Sequence, residues 1–321
     1  MCPVLAVHGG AGTVGRASMT AEAEESFHAG LRAALLAGHA VLAGGGSAID
    51  AVTRAVVALE DDPQFNAGRG AVYTSAGRHE MDAAVMEGRD RAAGAVGAIL
   101  GPRNPVLAAR AVMERSGHVL LVGEGAMDFL RGQDLAWEAP EYFHTDRRWQ
   151  SLQRELERRR LEAADTRDDD AARHGTVGAV ACDADGNLAA ATSTGGMTAK
   201  RPGRVGDCPV FGAGTWADNA SCAVSCTGYG EVFIRWAAAH EIAARMRHRG
   251  EALAVAAESV VAELAAVGGS GGLAAVDSAG NVALPFNSAG MYRGWIGADG
   301  VAWTGIYREA LKGGPARPHR R

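Results

Sequence analysis

Apolar and polar positions fall along this chain in blocks that predict short strands and longer helices. Val4 to His8 is an unbroken apolar run, read as a buried strand. It gives way to a glycine loop and then to a helix opening near Thr20, where Glu22, Glu24 and Glu25 suit the positive helix end. A second helix is predicted after Ser47, its N-cap, because Ile49, Val52, Val56 and Leu59 recur on one face. The stretch "EDDPQFNAGRGAVYTSAGRHEMDAAVMEG" reads as a turn-rich loop followed by paired strands, and "AAGAVGAIL" as another strand. Pro105 starts a helix, and "HVLLVG" makes a strand.

From Thr145 the pattern changes. "TDRRWQSLQRELERRRLEAADTRDDDAAR" is charged throughout, so its first half reads as a solvated helix and its end as a flexible linker over about residues 160–175. The tail "KGGPARPHRR" reads as disordered. Beyond the linker, "TVGAVACDADGNLAAATSTGGM" is two apolar runs joined by an Asp-Ala-Asp-Gly-Asn turn, the pattern of a hairpin. "GGLAAVDSAGNVALPFNSAGM", from Gly271, repeats it near the C-terminus. Two helices are expected between the hairpins, roughly Glu231 to Arg247 and Glu251 to Val267. Strand pairs segregated from helix pairs predict stacked sheets with helices outside, an α+β arrangement rather than a strictly alternating parallel sheet.

Composition narrows the function. The chain has 321 residues, 47% of them hydrophobic, enough to bury a sizeable core in one large domain or two small ones. A net charge of -5 leaves no basic field to draw in nucleic acid or an anionic membrane, so the expected partner is a small molecule. The five cysteines, Cys2, Cys182, Cys208, Cys222 and Cys226, are odd in number and form no CxxC pair, which indicates neither a disulfide framework nor a zinc site. A reducing cytosol fits that usage. "MCPVLAVHGGAG" lacks a basic leader and has too short an apolar run for a signal peptide, and no window of about 18 apolar residues would span a bilayer. A cytoplasmic location is expected.

Two motifs invite functional readings that their context opposes. "GAGTVG", Gly10 to Gly15, follows a strand and precedes a helix, as a dinucleotide fingerprint does. That fingerprint also needs a second strand ending in an acid about 20 residues on, whereas "ESFHAGLRAALLAGHAVLA" is helical in pattern. "GGSGG", Gly268 to Gly272, satisfies GxSxG, but Ser270 follows a helix and precedes a strand, the reverse of a nucleophile elbow.

A third feature is the bare Thr176 that follows Gly175 at the head of an apolar strand. A hydroxyl is a poor nucleophile without a base beside it, and an N-terminal threonine carries one in its own α-amine. With a pKa of about 7.7 to 8.0, that amine is partly free base near neutrality. Thr176 is internal, so the Gly175-Thr176 bond would have to be cut first, and glycine permits the strained backbone that attack by the neighbouring hydroxyl needs.

"HGGAG", "LEDDPQFNAGRG", "HGTVGAVA", "STGGM", "PGRVGD" and "TGYGE" stand in the order and spacing of the isoaspartyl peptidase/L-asparaginase family. The chain resembles these plant-type asparaginases, which are N-terminal nucleophile hydrolases, along most of its length except the linker and tail. The resemblance implies a single domain with a four-layer αββα sandwich, self-cleaved into an α subunit 1–175 and a β subunit 176–321. It implies that Thr176 is both the cleavage site and the nucleophile, that Thr194 supports it across the hairpin, and that Thr227 with the Gly228 N-H forms the oxyanion hole. Arg204 and Asp207 would clamp the α-carboxylate and α-ammonium of one zwitterion, a use that suits their chemistry. Gly230 would add a carbonyl contact to the ammonium, and Asn66 would lie near the site.

By the same resemblance, backbone carbonyls of Leu59, Glu60, Asp62, Phe65, Ala67 and Arg69 would surround a structural sodium ion, with no catalytic cofactor. His8 and His174 are read as structural. The implied reaction is hydrolysis of β-aspartyl dipeptides and asparagine to aspartate, by a dimer of αβ heterodimers. Alternatives are a glycosylasparaginase-like or taspase-like hydrolase of the same fold, a dinucleotide-binding oxidoreductase resting on "GAGTVG", and a binding protein without enzymatic activity.

Overall fold

A computed structural model describes residues 3–12, 16, 19–161 and 175–314. The first two helices start where they were expected to, one near Thr20 and one capped by Ser47. Thr20 accepts from Ala23 N at the head of α1 (Ala21–Ala43), and Ser47 accepts from Asp50 N at the head of α2 (Ala48–Asp61). The expected linker lies almost wholly outside the described residues, as does His174; of the tail expected to be disordered, Lys312–Gly314 form a strand paired with Ala302–Gly305, and the rest lies outside the described residues.

Among the described residues, nine strands form one sheet. In chain order they are β1 (Val4–Gly12), β2 (Met81–Glu87), β3 (Ala93–Ile99), β4 (Leu120–Val122), β5 (Val177–Cys182), β6 (Leu188–Thr194), β11 (Gly290–Ile296), β12 (Ala302–Gly305) and β13 (Lys312–Gly314). Across the sheet the order is β13-β12-β11-β1-β5-β6-β2-β3-β4. A second sheet runs β10-β9-β8-β7, from β7 (Thr215–Ala217), β8 (Cys222–Gly228), β9 (Gly271–Asp277) and β10 (Val282–Ala283).

Apolar side chains fill three layers between these elements. Val4, Ala6, Val180, Leu188 and Ala190 of the large sheet meet Ala223, Ala274 and Val276 of the small one. Leu31, Leu35, Val52 and Val56 of the first two helices cover the outer face of the large sheet with α3 (Pro105–Arg115) and α4 (Gly123–Arg131). Phe233, Ile242, Val260 and Leu264 cover the small sheet from α7 (Gly230–Trp236), α8 (Ala238–Arg249) and α9 (Leu253–Ala266). The result is the αββα sandwich that the sequence resemblance implies.

Three expectations need correction. The helix expected from Glu231 to Arg247 is two helices, broken at Ala237, whose φ of 46° lies in the left-handed region. The segment between the hairpins also holds β7 and β8, which had not been separated from their surroundings. The charged helix is α6 (Asp146–Leu161), after the short α5 (Pro140–Phe143), and it is not simply solvated. Leu152 and Glu155 are buried on its inner side, Leu152 with Tyr73 and Ala199.

The two misleading motifs resolve as their contexts indicate. The 23-residue α1 stands where a dinucleotide fold needs its second strand, which overturns the fingerprint reading of "GAGTVG". Ser270 sits between α9 and β9, its carbonyl accepting Tyr229 N at 2.9 Å. Among the described residues no helix is long and apolar enough to cross a membrane.

Candidate active site

The β5-β6 hairpin sets the central geometry. Val177 pairs with Ser193, so one residue earlier Thr176 comes opposite Thr194, and their hydroxyls lie 3.2 Å apart. Both residues are buried. The Gly175 carbonyl oxygen receives two donors: Asn66 Nδ2 at 2.6 Å and the Thr194 hydroxyl at 2.8 Å. Thr194 Oγ1 in turn accepts the Gly196 N-H at 2.9 Å and the Thr176 hydroxyl. Two donors on one carbonyl oxygen polarise that carbonyl toward attack, and here it belongs to the bond just before Thr176.

Asn66 is tied down on every side. Its Oδ1 accepts Val72 N at 2.9 Å, its Nδ2 also donates to Gly196 O at 2.7 Å, and its carbonyl accepts Gly195 N at 3.1 Å. The loop after α2 and the turn after β6 are thereby locked to each other and to the Gly175 carbonyl. Asn66, expected only to lie near the site, touches the Gly175 carbonyl directly.

A small recess is lined by Gly175, Thr176, Thr194, Arg204, Asp207 and Gly228. Arg204 does not pair with Asp207 by hydrogen bond; it forks onto Glu231, with Nε and Nη2 at 3.0 and 2.8 Å from the two carboxylate oxygens. Asp207 is buried, and its Oδ2 has no hydrogen-bond partner among the described residues. Burial pushes its carboxyl up to about 7, helped by the charges of Glu231 and Asp82 and opposed by Arg204. A buried carboxylate oxygen without a donor calls for one from outside the protein. Gly230 opens α7 beside it, where a Cβ would lie 2.7 Å from Asp207 Oδ1.

Thr227 and Gly228 end β8. Thr227 is fully buried with its hydroxyl accepting Ala11 N at 3.2 Å. Gly228 has φ 151°, and a Cβ there would fall 2.3 Å from Ser270 O, so the backbone can take this course only as glycine. Of the expected site residues, the recess itself is lined by Thr176, Thr194, Arg204, Asp207 and Gly228, while Thr227, Gly230 and Asn66 stand against it from behind.

The comparisons with known proteins agree with this geometry. A family model described as Asparaginase matches residues 1–306. The chain belongs to the asparaginase family. Among its asparaginase-family relatives, the isoaspartyl peptidase of Salmonella typhimurium is 56% identical over 309 residues, covering 95% of this chain and 99% of that protein. The isoaspartyl peptidase of Escherichia coli is 54% identical over 313 residues, covering 95% and 96%. An isoaspartyl peptidase/L-asparaginase of Bos taurus is 40% identical over 308 residues, covering 95% and 96%.

Within this asparaginase-family site, several partners escaped sequence reasoning. His8 Nδ1 lies 2.9 Å from the Thr176 carbonyl, and its Nε2 lies 2.8 Å from Ser225 Oγ, which meets Thr192 Oγ1 at 2.8 Å. A carbonyl can only accept, so Nδ1 carries the proton and Nε2 accepts from Ser225. Burial holds His8 down at about 3, so it stays neutral. A signal was present: Thr192 and Thr194 on β6, and Ser225 and Thr227 on β8, each repeat at a spacing of two along otherwise apolar strands. Glu231, in "TGYGE", was quoted as motif but given no role.

Proposed function

We propose that this chain is a self-processing amidohydrolase that hydrolyses β-aspartyl dipeptides and asparagine through Thr176. The observation that carries the reading is the convergence, in one recess, of the Thr176 hydroxyl, a doubly hydrogen-bonded Gly175 carbonyl, the Arg204 guanidinium and an unpartnered Asp207 oxygen. Relatives named for these activities, at 40 to 56% identity, support it.

In the first stage, Thr176 Oγ1 attacks the Gly175 carbonyl carbon, while Asn66 and Thr194 stabilise the charge growing on its oxygen. The hydroxyl proton passes to the Thr176 nitrogen as the C-N bond breaks. The resulting ester is hydrolysed by water, leaving a Gly175 carboxylate and a Thr176 with free hydroxyl and α-amine. In the second stage that amine is the base, Thr227 and the Gly228 N-H hold the oxyanion, and Arg204 and Asp207 hold the α-carboxylate and α-ammonium of the substrate. An amine or ammonia leaves, and water releases aspartate.

The carbonyls assigned to a sodium ion belong to a segment suited to a hard cation. The last turn of α2 carries no basic residue against its exposed carbonyls, and the chain then doubles back until a Cβ on Gly68 would lie 2.6 Å from Glu60 O. Leu59, Glu60, Asp62, Phe65, Ala67 and Arg69 would hold the ion by carbonyl oxygens and the ion would brace the loop that carries Asn66. The assembly in this reading is a cytoplasmic dimer of αβ heterodimers.

The direct test is intact-mass measurement on purified protein during prolonged incubation, with N-terminal sequencing. The expected result is two fragments, 1–175 and 176–321, appearing together with asparagine hydrolysis. A chain that stays whole and inactive overturns the reading.

The proposal also fixes a pH dependence. Asp207, raised to about 7, must be ionised to hold an ammonium group, and the α-amine of Thr176, at about 7.7 to 8.0, must be unprotonated to act as base. Both groups lose their proton as pH rises, so log kcat/KM for asparagine should fall on the acid side with a slope approaching two. Initial rates between pH 5 and 8 read this directly, and a slope of one throughout would remove one of the two groups from the mechanism.

A further inference from the structure

Helix α6 carries arginines at both ends whose hydrogen bonds go to backbone carbonyls around the active site. Near its start, Arg148 Nε donates to Gly70 O at 2.8 Å and Nη2 to Gln64 O at 3.4 Å, while Arg147 Nη2 donates to Gln64 O at 2.6 Å. Near its end, Arg159 Nη1 donates to Ala199 O at 2.9 Å. Arg159 is itself held by the buried Glu155, at 2.7 Å from its Nε. Between these anchors, Leu152 packs on Tyr73 and Ala199.

The carbonyls so engaged belong to the two segments that meet at the scissile bond. Gln64 and Gly70 flank Asn66, which donates to Gly175 O. Ala199 ends the turn that begins at Gly195 and Gly196, the partners of Asn66 and Thr194. Arg148 is half-buried, and the hydrogen bonds of its side chain among the described residues go to the Gly70 and Gln64 backbone carbonyls. Burial and the charge of Arg147 push it down to about 9, which still leaves it charged at neutral pH. Gln64 and Gly70 are not among the six carbonyls that a sodium ion would use, so the guanidiniums and an ion would grip the same loop from different carbonyls.

We propose that α6 is a strap across the active site, in which Arg148 and Arg159 are positioning residues that hold the Asn66 loop and the 195–200 turn in register on the Gly175 carbonyl. The inference rests on the function proposed above. The strap acts twice: before cleavage it aims Asn66 and Thr194 at the Gly175 oxygen, and after cleavage it keeps Thr194 against the freed Thr176. The hydrogen bonds of Arg148 and Arg159 go to Gly70, Gln64, Ala199 and Glu155 rather than to Arg204 or Asp207, so substrate affinity is not their concern.

The test compares wild type with Arg148→Met, Arg148→Lys and Arg159→Ala, recording self-cleavage by intact mass, kcat and KM for asparagine, and the circular-dichroism melt. Arg148→Met should slow self-cleavage by about tenfold or more, since misplacing reacting groups by about 1 Å can cost on the order of a hundredfold. Its matured form should lose kcat with KM within about twofold of wild type, because ground-state binding is spared. Arg148→Lys should recover part of the loss, as an ammonium can still reach one carbonyl. Arg159 lies nearer the surface and its alanine variant keeps the measurement available if Arg148→Met does not fold; it too should cut more slowly. Folded variants that cut at the wild-type rate, or whose loss falls on KM alone, overturn the strap while leaving the parent reading intact. A wild-type chain that never cuts overturns both.

Discussion

Thr176→Ala should leave the 321-residue chain whole and abolish hydrolysis of asparagine. The methyl group that replaces the hydroxymethyl keeps the strand register, since Val177 still pairs with Ser193, and removes the only atom that can attack Gly175 from this position. The donors on the Gly175 oxygen, Asn66 and Thr194, would remain in place and act on a carbonyl with no nucleophile beside it. Loss of a nucleophile in other hydrolases costs about a millionfold in kcat, so a fall of at least about ten-thousandfold is expected. Intact mass and a coupled ammonia assay decide it. A variant that splits normally, or that retains hydrolysis within an order of magnitude of wild type, would move the nucleophile elsewhere.

A β-aspartyl dipeptide should be cleaved at least as well as asparagine, and its α-linked isomer should be inert. In the proposed clamp, Arg204 and Asp207 would require a free α-carboxylate and a free α-ammonium on the same carbon, which would put the β-carbonyl at Thr176. An α-linked peptide has spent its α-carboxyl in the bond, so Arg204 would face a neutral amide. Removing the guanidinium has the same logic from the other side: Arg204→Ala should lose about 2 to 5 kcal/mol of transition-state binding, because a charge-assisted contact in a closed recess is removed. It should largely spare self-cleavage, whose donors lie on other residues. Glutamine, longer by a methylene, displaces its carbonyl from the hydroxyl and should be poor. Initial rates on β-Asp-Leu, α-Asp-Leu, asparagine and glutamine make the comparison, and equal turnover of the two isomers would rule out the clamp.

What could be read from the sequence was what local chemistry dictates. Thr20 and Ser47 announce helix starts because their hydroxyls take up orphan N-H groups, and both do so. The hairpin around Asp183 is legible because its turn residues interrupt two apolar runs, and it brings Thr176 opposite Thr194. What could not be read depends on approach from far along the chain. Ser225 looks like one more small strand residue until His8, 217 positions away, is placed against it. Ala237 carries no sequence mark of a helix break: its backbone is left-handed, and the N-H groups of Ala239 and His240 just after it bond to the carbonyls of Ala213 and Gly212, more than 20 positions back. The charged α6 looks fully solvated because Leu152 and Glu155 are its only buried residues among those described, and Arg147, Arg148 and Arg159 donate to backbone carbonyls, which sequence does not distinguish.

If the chain is cut after Gly175 as proposed, the order of the large sheet has a consequence for how the mature protein can be made. Strands β1, β2, β3 and β4 lie before Gly175, and β5, β6, β11, β12 and β13 lie after it. Read across the sheet, the two fragments are interleaved: β1 is sandwiched between β11 and β5, and β6 sits beside β2, so three of the seams join one fragment to the other. A single chain can zip those seams as an intramolecular event, with each strand tethered at high effective concentration to its neighbour. Once the bond is cut the tether is gone, and the same seams must be found by two separate molecules, each holding unpaired strand edges prone to misassociation. Cleavage therefore turns a unimolecular folding problem into a bimolecular one. On that reading maturation would be a one-way step in assembly as well as in covalent chemistry, because the folded shape is one that the two pieces would reach most readily as one chain.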